Sequence, residues 1–360
     1  MLFGELQVAL ATVAATRSRL AKVDALADLL GRLAPDEIVP AIGLLTAAPR
    51  QGRLGVGWRT LTARGGDHSE AATLTVGDVD AAFSRLVEIS GSGSGAVRTA
   101  LLDDLARRAT ADEWDLLVRV MTGEVRTGAL EGVLLDAVAR AADRDSTLVR
   151  RAAMLSGDLG ETAALALTAS AEELASVGLV VGRGVQPMLA STATSVGEAL
   201  GVAGRASVEY KLDGARVQVH RHGDEVRVFT RTLADVTHRV PEIVEIVRGL
   251  PVSDVILDGE TLSLDDDGAP RPFQDTMARF GAETAREIAL RPWFFDLLHV
   301  DGRDLIDEPL SERRAVLARV APDLRIPSIV TDVAAEAEEF SRAALRAGHE
   351  GEIGRASCRG

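Results

Sequence analysis

Apolar residues recur at spacings of three and four through the first half of the chain. The runs 5-ELQVALATVAATRSRLAKVDALADLLGRL-33, 78-DVDAAFSRLVEI-89 and 113-EWDLLVRVMTGEV-125 carry that period, which gathers their apolar side chains on one helical face. Thr75 and Thr110 stand just ahead of two of these runs and read as N-caps, their oxygens free to take orphan backbone N–H groups. The segment 91-GSGSGA-96 reads as a flexible connector between helices. Residues 1–180 are therefore expected to form an all-α domain packed with Leu, Val and Ala.

From about Val185 the period shortens to two. Val217 and Val219, then 222-HGD-224, then Val226 and Val228 predict a hairpin with a glycine in its turn. Further strands are expected in 254-DVILDGETLSL-264, closed by the turn 265-DDDG-268, and in 293-WFFDLLHV-300. A helix over 311-SERRAVLARV-320 would start at Ser311 as N-cap. Residues 185–351 thus read as an α+β domain with charged motifs at strand ends, and the chain as multidomain.

Composition narrows the function classes. A net charge of −14 argues against coating nucleic acid by bulk attraction, although a local stripe of arginines would still bind a duplex. The one cysteine, Cys358, leaves no internal disulfide and fits a reducing compartment. The chain does not open on a basic-then-apolar leader, and no apolar run nears the ~18 residues of a membrane span; a cytoplasmic protein with no membrane partner, acting as a monomer, is expected. None of the histidines at 68, 220, 222, 238, 299 and 349 stands at zinc-like spacing from Cys or acids, and His220 and His222, flanking the hairpin turn, are expected to be exposed.

The charge also has an internal bias. Of the 40 Lys and Arg, only Lys22 and Lys211 are lysine. Lys211 lies in 209-EYKLDGAR-216, where a period of two puts it on one strand face with Glu209, ahead of an Asp213–Gly214 bend. A solvated turn would explain the bare tetrapeptide, but not why arginine was avoided. A guanidinium stays protonated, whereas a lysine amine can lose its proton and act as a nucleophile. Arg216, Arg231 and Arg279 are candidates to hold phosphate oxygens, and Asp213, Asp258, Glu260 and Glu350 are candidates to hold a divalent metal. That company suits attack on phosphorus better than a Schiff base.

The octapeptide 209–216 resembles the K-x-D-G-x-R motif of the covalent nucleotidyltransferases, and the likeness extends along most of the chain. Thr230-Arg231 with 239-RVPEI-243, 257-LDGE-260, 273-FQDTMARF-280, 294-FFDLL-298 with 301-DGRDL-305, and 309-PLSERR-314 follow in the order seen in ATP-dependent DNA ligases. Upstream, 123-GEVRTG-128 is similar to that family's helical DNA-binding domain, and 187-PMLA-190 to its junction with the adenylation domain.

The resemblance implies ATP and Mg²⁺ as cofactors and nicked double-stranded DNA as partner. Lys211 would take AMP from ATP, pass it to a nick's 5′-phosphate, and the 3′-hydroxyl would then displace it. By the same likeness Glu209 would lie beside adenine and Phe295 would stack on it, while Glu260 would contact ribose or a metal. Asp213 and Glu350 would help place Mg²⁺, Arg216 and Arg231 would hold ribose and phosphate, and Arg126 would touch DNA. Each has a plainer alternative: Phe295 a core aromatic, Glu260 a strand-end acid, Asp258 a turn cap, the arginines solvated side chains. An RNA ligase, a capping enzyme or a non-catalytic nick-binding protein are the competing functions.

The sequence departs from the family after Glu350-Gly351. The motif's lysine, a later pair of lysines and a C-terminal OB domain are missing, and residues 352–360 are expected to be foreign to the native chain. On that reading the chain is C-terminally truncated, adenylylates itself poorly, and binds nicked DNA weakly without sealing it.

Overall fold

The computed structural model describes all residues except 65, 125–129, 266–269, 282–289 and 357–360. The chain divides into two compact units, Met1–Gly178 and Leu179–Gly360. Arg126 and most of the 265–268 turn lie outside the described residues.

Among its described residues the first unit is built from helices joined by loops. The long run at its start is broken into two helices, Phe3–Ala15 and Arg19–Leu30, the second capped by Ser18, whose side chain accepts from the Ala21 N–H. Thr75 and Thr110 cap the helices Val76–Glu88 and Ala111–Thr122, and Asp78 and Glu113 return the favour to the cap N–H groups. The connector at 91–96 is shorter than its glycines suggest, because the next helix, Ser94–Arg108, already starts within it. Phe3, Leu6, Leu26, Leu45, Phe83 and Leu134 meet in a single core.

In the second unit eight strands among the described residues form two sheets. β1 (Ala206–Lys211) lies between β7 (Ser328–Thr331) and β8 (Gly351–Ala356), antiparallel to both. The larger sheet runs β3 (Glu225–Thr230), β2 (Ala215–His222), β4 (Asp254–Ser263), β5 (Leu290–Val300) and β6 (Arg303–Asp304), all neighbours antiparallel. Helices Pro241–Arg248 and Leu310–Val320 pack on the larger sheet through Ile243, Val247, Leu317 and Val320. Helices Val196–Ala203 and Ala334–Arg346 cover the smaller one through Leu200 and Ala337. The helix expected to have Ser311 as its N-cap is capped two residues earlier, by Pro309; proline's fixed φ closes the preceding loop without a side-chain cap. Residues 351–356 pair with β1 along its whole length, so the segment read as foreign from 352 begins inside β8.

The hairpin β2–β3 turns at Gly223, φ 58°, yet His220 is buried rather than exposed. Val217 and Val219 face the sheet's helical core, while Gln218 and His220 on the opposite face are covered by residues 182–185. The Gly182 N–H donates to His220 Nδ1 at 3.0 Å, which puts the ring proton on Nε2, 2.9 Å from Gln218 Oε1. Gln218 in turn accepts from the Val185 N–H and donates to the Val185 carbonyl. Burial, with His299 and Arg227 adding positive charge nearby, lowers the His220 pKa to about 3, so the ring stays neutral in the folded state. Alternation of apolar and polar residues implied one wet face; a polar network keeps that face dry instead.

The chain crosses from β1 to β2 through Leu212, Asp213 and Gly214. Neither Gly214 nor Gly259 has a positive φ, so turn geometry does not explain them. A Cβ on Gly214 would lie 2.3 Å from the Thr261 carbonyl oxygen, and one on Gly259 would lie 2.4 Å from that of Trp293. Both glycines permit backbone to press on backbone. Gly259→Ala should therefore destabilise the second unit by about 1–3 kcal/mol. Gly201→Ala, on a helix where a Cβ meets open space, should be neutral or stabilising by up to about 1 kcal/mol. Chemical denaturation of the two variants, compared with the parent, measures the contrast.

Candidate active site

β1 ends at Lys211, and its register with β8 brings Lys211 opposite Gly351. The Glu350 N–H donates to the Lys211 carbonyl at 3.1 Å, and the Lys211 ammonium ion-pairs with the Glu350 carboxylate. The lysine side chain is about half exposed, at 48%, so the amine sits at the surface and not in the core. Tyr210, pointing the other way, is wedged between the rings of Phe340 and His349. That wedge fixes the end of β1 and with it the direction of the lysine.

Glu209, on the lysine's face of β1, is 1% exposed. Ser207 Oγ donates to its Oε1 at 2.9 Å, and Arg355 Nε donates to Oε2 at 2.6 Å. Arg314 Nη1 lies 3.7 Å from Oε1. The Arg355 guanidinium also lies over the Phe295 ring, 4.0 Å from its centroid, and that of Arg216 lies 5.4 Å from it. Phe295 is buried with Leu212, Leu262 and Ile326, so it fills a small core while it also offers a face to cations.

Arg216 is held as a fork. Its Nε and Nη2 donate to the two Asp258 oxygens at 3.1 and 2.6 Å, and Nη1 donates to the Met188 carbonyl at 2.7 Å. Burial works against its charge, but Asp258 outweighs that and raises its pKa. Asp258 is thus neither a turn cap nor a free ligand; it anchors Arg216. Glu260, opposite Arg216 in the β2–β4 register, has its pKa pushed up to about 7, first by burial. Asp258 and Asp213 add to the rise, while Arg216 and Lys211 oppose it.

The fold therefore gathers Lys211, Glu209, Arg216, Glu260, Phe295 and Glu350 about one cleft, with exposed Asp213 at its edge. It does not gather every candidate. Arg279 is 2% exposed and bonds the Arg239 carbonyl and Glu242, so it ties helix Phe273–Gly281 to helix Pro241–Arg248 instead of facing phosphate. Arg231, just past β3, is exposed and joins no hydrogen bond or ion pair among the described residues. Asp213, Glu260 and Glu350 do not form a three-carboxylate cage; among the described residues no group of His, Cys, Asp or Glu is placed to hold a metal alone. Ser207, Arg314, Arg355 and the Arg216–Asp258 pair escaped the sequence reading. Ser207 carried a signal, two residues before Glu209 on the same strand face, and Arg314, Arg216 and Asp258 lay in segments that resemble the family without their contacts being legible.

Family comparison follows the same two units. A family model described as the ATP dependent DNA ligase domain matches residues 187–357, and one described as the DNA ligase N terminus matches residues 62–139. A protein of Pseudarthrobacter chlorophenolicus named "Probable DNA ligase" is 63% identical over 351 residues, covering 98% of this chain and 69% of that protein. The chain belongs to the ATP-dependent DNA ligases. A "Probable DNA ligase" of Rhodococcus jostii is 52% identical, with 98% of this chain and 70% of that protein covered. A solved structure named Pmar-Lig_PreS3 shares the fold at a TM-score of 0.59 and 16% identity, over 98% of this chain and 74% of that one. The family membership favours DNA ligation over RNA ligation or capping, and an enzyme over a non-catalytic binder.

The raised pKa of Glu260 has a sign for stability. The folded carboxyl keeps its proton up to about pH 7, against 4.5 ordinarily, so ionising it opposes folding as pH rises from 4.5 to 7. The penalty persists above pH 7. Glu260→Gln should thus be more stable than the parent at pH 8 by about 1–3 kcal/mol, and indistinguishable from it below about pH 4.5. Urea unfolding of both proteins across that range checks the crossing.

Proposed function

We propose that Lys211 is the residue that takes AMP in this ligase, and that the cleft around it is the ATP site. The observation that carries the reading is the position of the amine: half exposed at the end of β1, beside a buried aromatic face and a buried carboxylate. In the reaction Lys211 Nζ, having shed a proton, attacks the α-phosphorus of ATP. A P–N bond forms as the P–O bond to pyrophosphate breaks. Glu350, paired with the ammonium, fixes where the nitrogen points before attack.

The remaining roles follow from chemistry. Phe295 stacks the adenine; a base on an aromatic face contributes about 1–3 kcal/mol. Glu209 accepts an N–H from its edge. The incoming base takes the place now held by the Arg355 guanidinium, which already lies on that ring and donates to that carboxylate. Arg216, locked by Asp258, borders the same ring and the ribose beyond it, and Glu260 accepts from a ribose hydroxyl. Arg231, exposed at the end of β3, meets phosphate of the nick, and Arg126 on the helical unit meets the duplex.

Mg²⁺ fits this donor set as an ion shared with the nucleotide. Hard carboxylate oxygens from Asp213, Glu260 and Glu350 would supply one or two ligands, and the triphosphate and waters the rest, the usual manner of binding for that ion. Once bound it would neutralise charge on the transferring phosphoryl group. The two units correspond to a helical DNA-binding domain (1–180) and an adenylation domain (185–351). No helix among the described residues is long and apolar enough to cross a membrane, and the reading is of a monomer acting on nicked duplex in the cytoplasm.

ATP labelled at the α-phosphate should leave label on the protein, and ATP labelled at the γ-phosphate should not. Lys211→Arg, which keeps the charge but has no titratable amine, should cut transfer by at least about 1,000-fold, in the range typical for losing a nucleophile, with its folding unchanged by circular dichroism. Label retained at parental levels by that variant removes Lys211 from the reaction.

A further inference from the structure

Glu209 is a carboxyl group sealed from solvent, 1% exposed, so what it offers a base is set by the groups around its two oxygens. An ionised carboxylate only accepts hydrogen bonds, whereas a protonated one also donates. The first tolerates an amino group at the base edge and repels a carbonyl; the second takes either.

The two oxygens of Glu209 are used differently. Oε2 carries the Arg355 Nε–H at 2.6 Å, which shows that this edge accepts an N–H arriving over Phe295. Oε1, turned away, meets Ser207 Oγ at 2.9 Å and the Arg314 Nη1 at 3.7 Å. Arg314 is itself mostly buried, and its Nη2 donates to Ser328 Oγ at 2.8 Å. Ser328 is the β7 partner of Glu209 in register. Nη1 is buried without a hydrogen-bond partner, and Glu209, Arg314, Ser328 and Phe295 line one small pocket of about 10 Å³. Burial depresses the pKa of Arg314, with Glu209 opposing that fall. An incompletely bonded buried guanidinium costs stability, and neither helix Leu310–Val320 nor β7 needs it for pairing.

We infer that Arg314, anchored by Ser328 and seconded by Ser207, is a positioning residue for base specificity: its guanidinium faces Oε1 and keeps Oε2 outward as an acceptor, so that the site admits a purine with a 6-amino group and rejects one with a 6-oxo group. This rests on the reading of Glu209 and Phe295 as the base site. Arg355 does not serve the same end, because it stands where the base goes.

The test is binding of ATP and GTP to the full chain by titration calorimetry. The parent should prefer ATP. Arg314→Met should lower the ATP-to-GTP affinity ratio by about 10-fold or more, the worth of one charge-assisted hydrogen bond, and Arg314→Lys should recover part of it. Ser328→Ala, which keeps the cation and frees its anchor, should shift the ratio the same way by less; it guards against Arg314→Met failing to fold. Equal weakening of both nucleotides by Arg314→Met and Ser328→Ala, with the ratio unchanged, overturns the inference. An unchanged ratio in Glu209→Gln, or no nucleotide bound by the parent, overturns the base-site reading beneath it.

Discussion

The approach of backbone to backbone at Gly214 and Gly259 is the constraint on which the cleft depends. At each, a methyl group would fall inside the carbonyl of the neighbouring strand. The first pulls the crossover from β1 against β4, and the second pulls β4 against β5. Together they bring the end of the small sheet onto the face of the large one, so that Lys211, Glu260 and Phe295, from three different strands, share one space. The glycines in 211-KLDGAR-216 and 257-LDGE-260 are thus packing residues first. The chemistry attached to these motifs needs them because it needs three strands to converge.

Buried charge is the second organising feature. Glu209, Asp258 and Arg279 are all nearly sealed from solvent, and each is held by a partner of opposite sign: Arg314 and Arg355, Arg216, and Glu242. Desolvating such pairs costs several kcal/mol per ion, so they are poor devices for stability alone. Their geometry is informative instead. The Arg279–Glu242 pair joins two helices away from the lysine, while the other pairs orient groups that border it. The same residue types in one Arg-rich chain therefore divide into framework and site, and only the partners reveal which is which.

That division explains what was legible in the sequence. Helices in the first unit and the strands at 217–228, 254–264 and 293–300 follow from period and caps, because local pattern determines them. Lys211 stood out through the chain's own bias toward arginine. Glu209, Arg216, Glu260 and Phe295 could be named through family likeness, yet charge and composition alone do not distinguish Arg216 from Arg279: both are arginines in charged company. Register decides. Arg216 lies diagonal to Asp258 across β2 and β4, a long-range pairing that no window of residues contains. His220 failed for a related reason, since the segment covering it, 182–185, is distant in sequence and bonds through backbone groups.

The Lys211–Glu350 ion pair sharpens why this position is lysine. Ion pairing by itself gives no reason, because arginine binds carboxylate better, through two parallel N–H bonds. Elsewhere in the second unit the chain uses arginine for that task, against Asp258, Asp296 and Glu242. Exposure gives no reason either, since Arg19, Arg32 and Arg50 are half-exposed cations too. What lysine offers and arginine withholds is a nitrogen that can be freed of its proton and form a covalent bond. A residue chosen for pairing would have followed the habit of the chain. Placed at the convergence of three strands and beside an aromatic face, the exception is what the proposed bond to AMP would require.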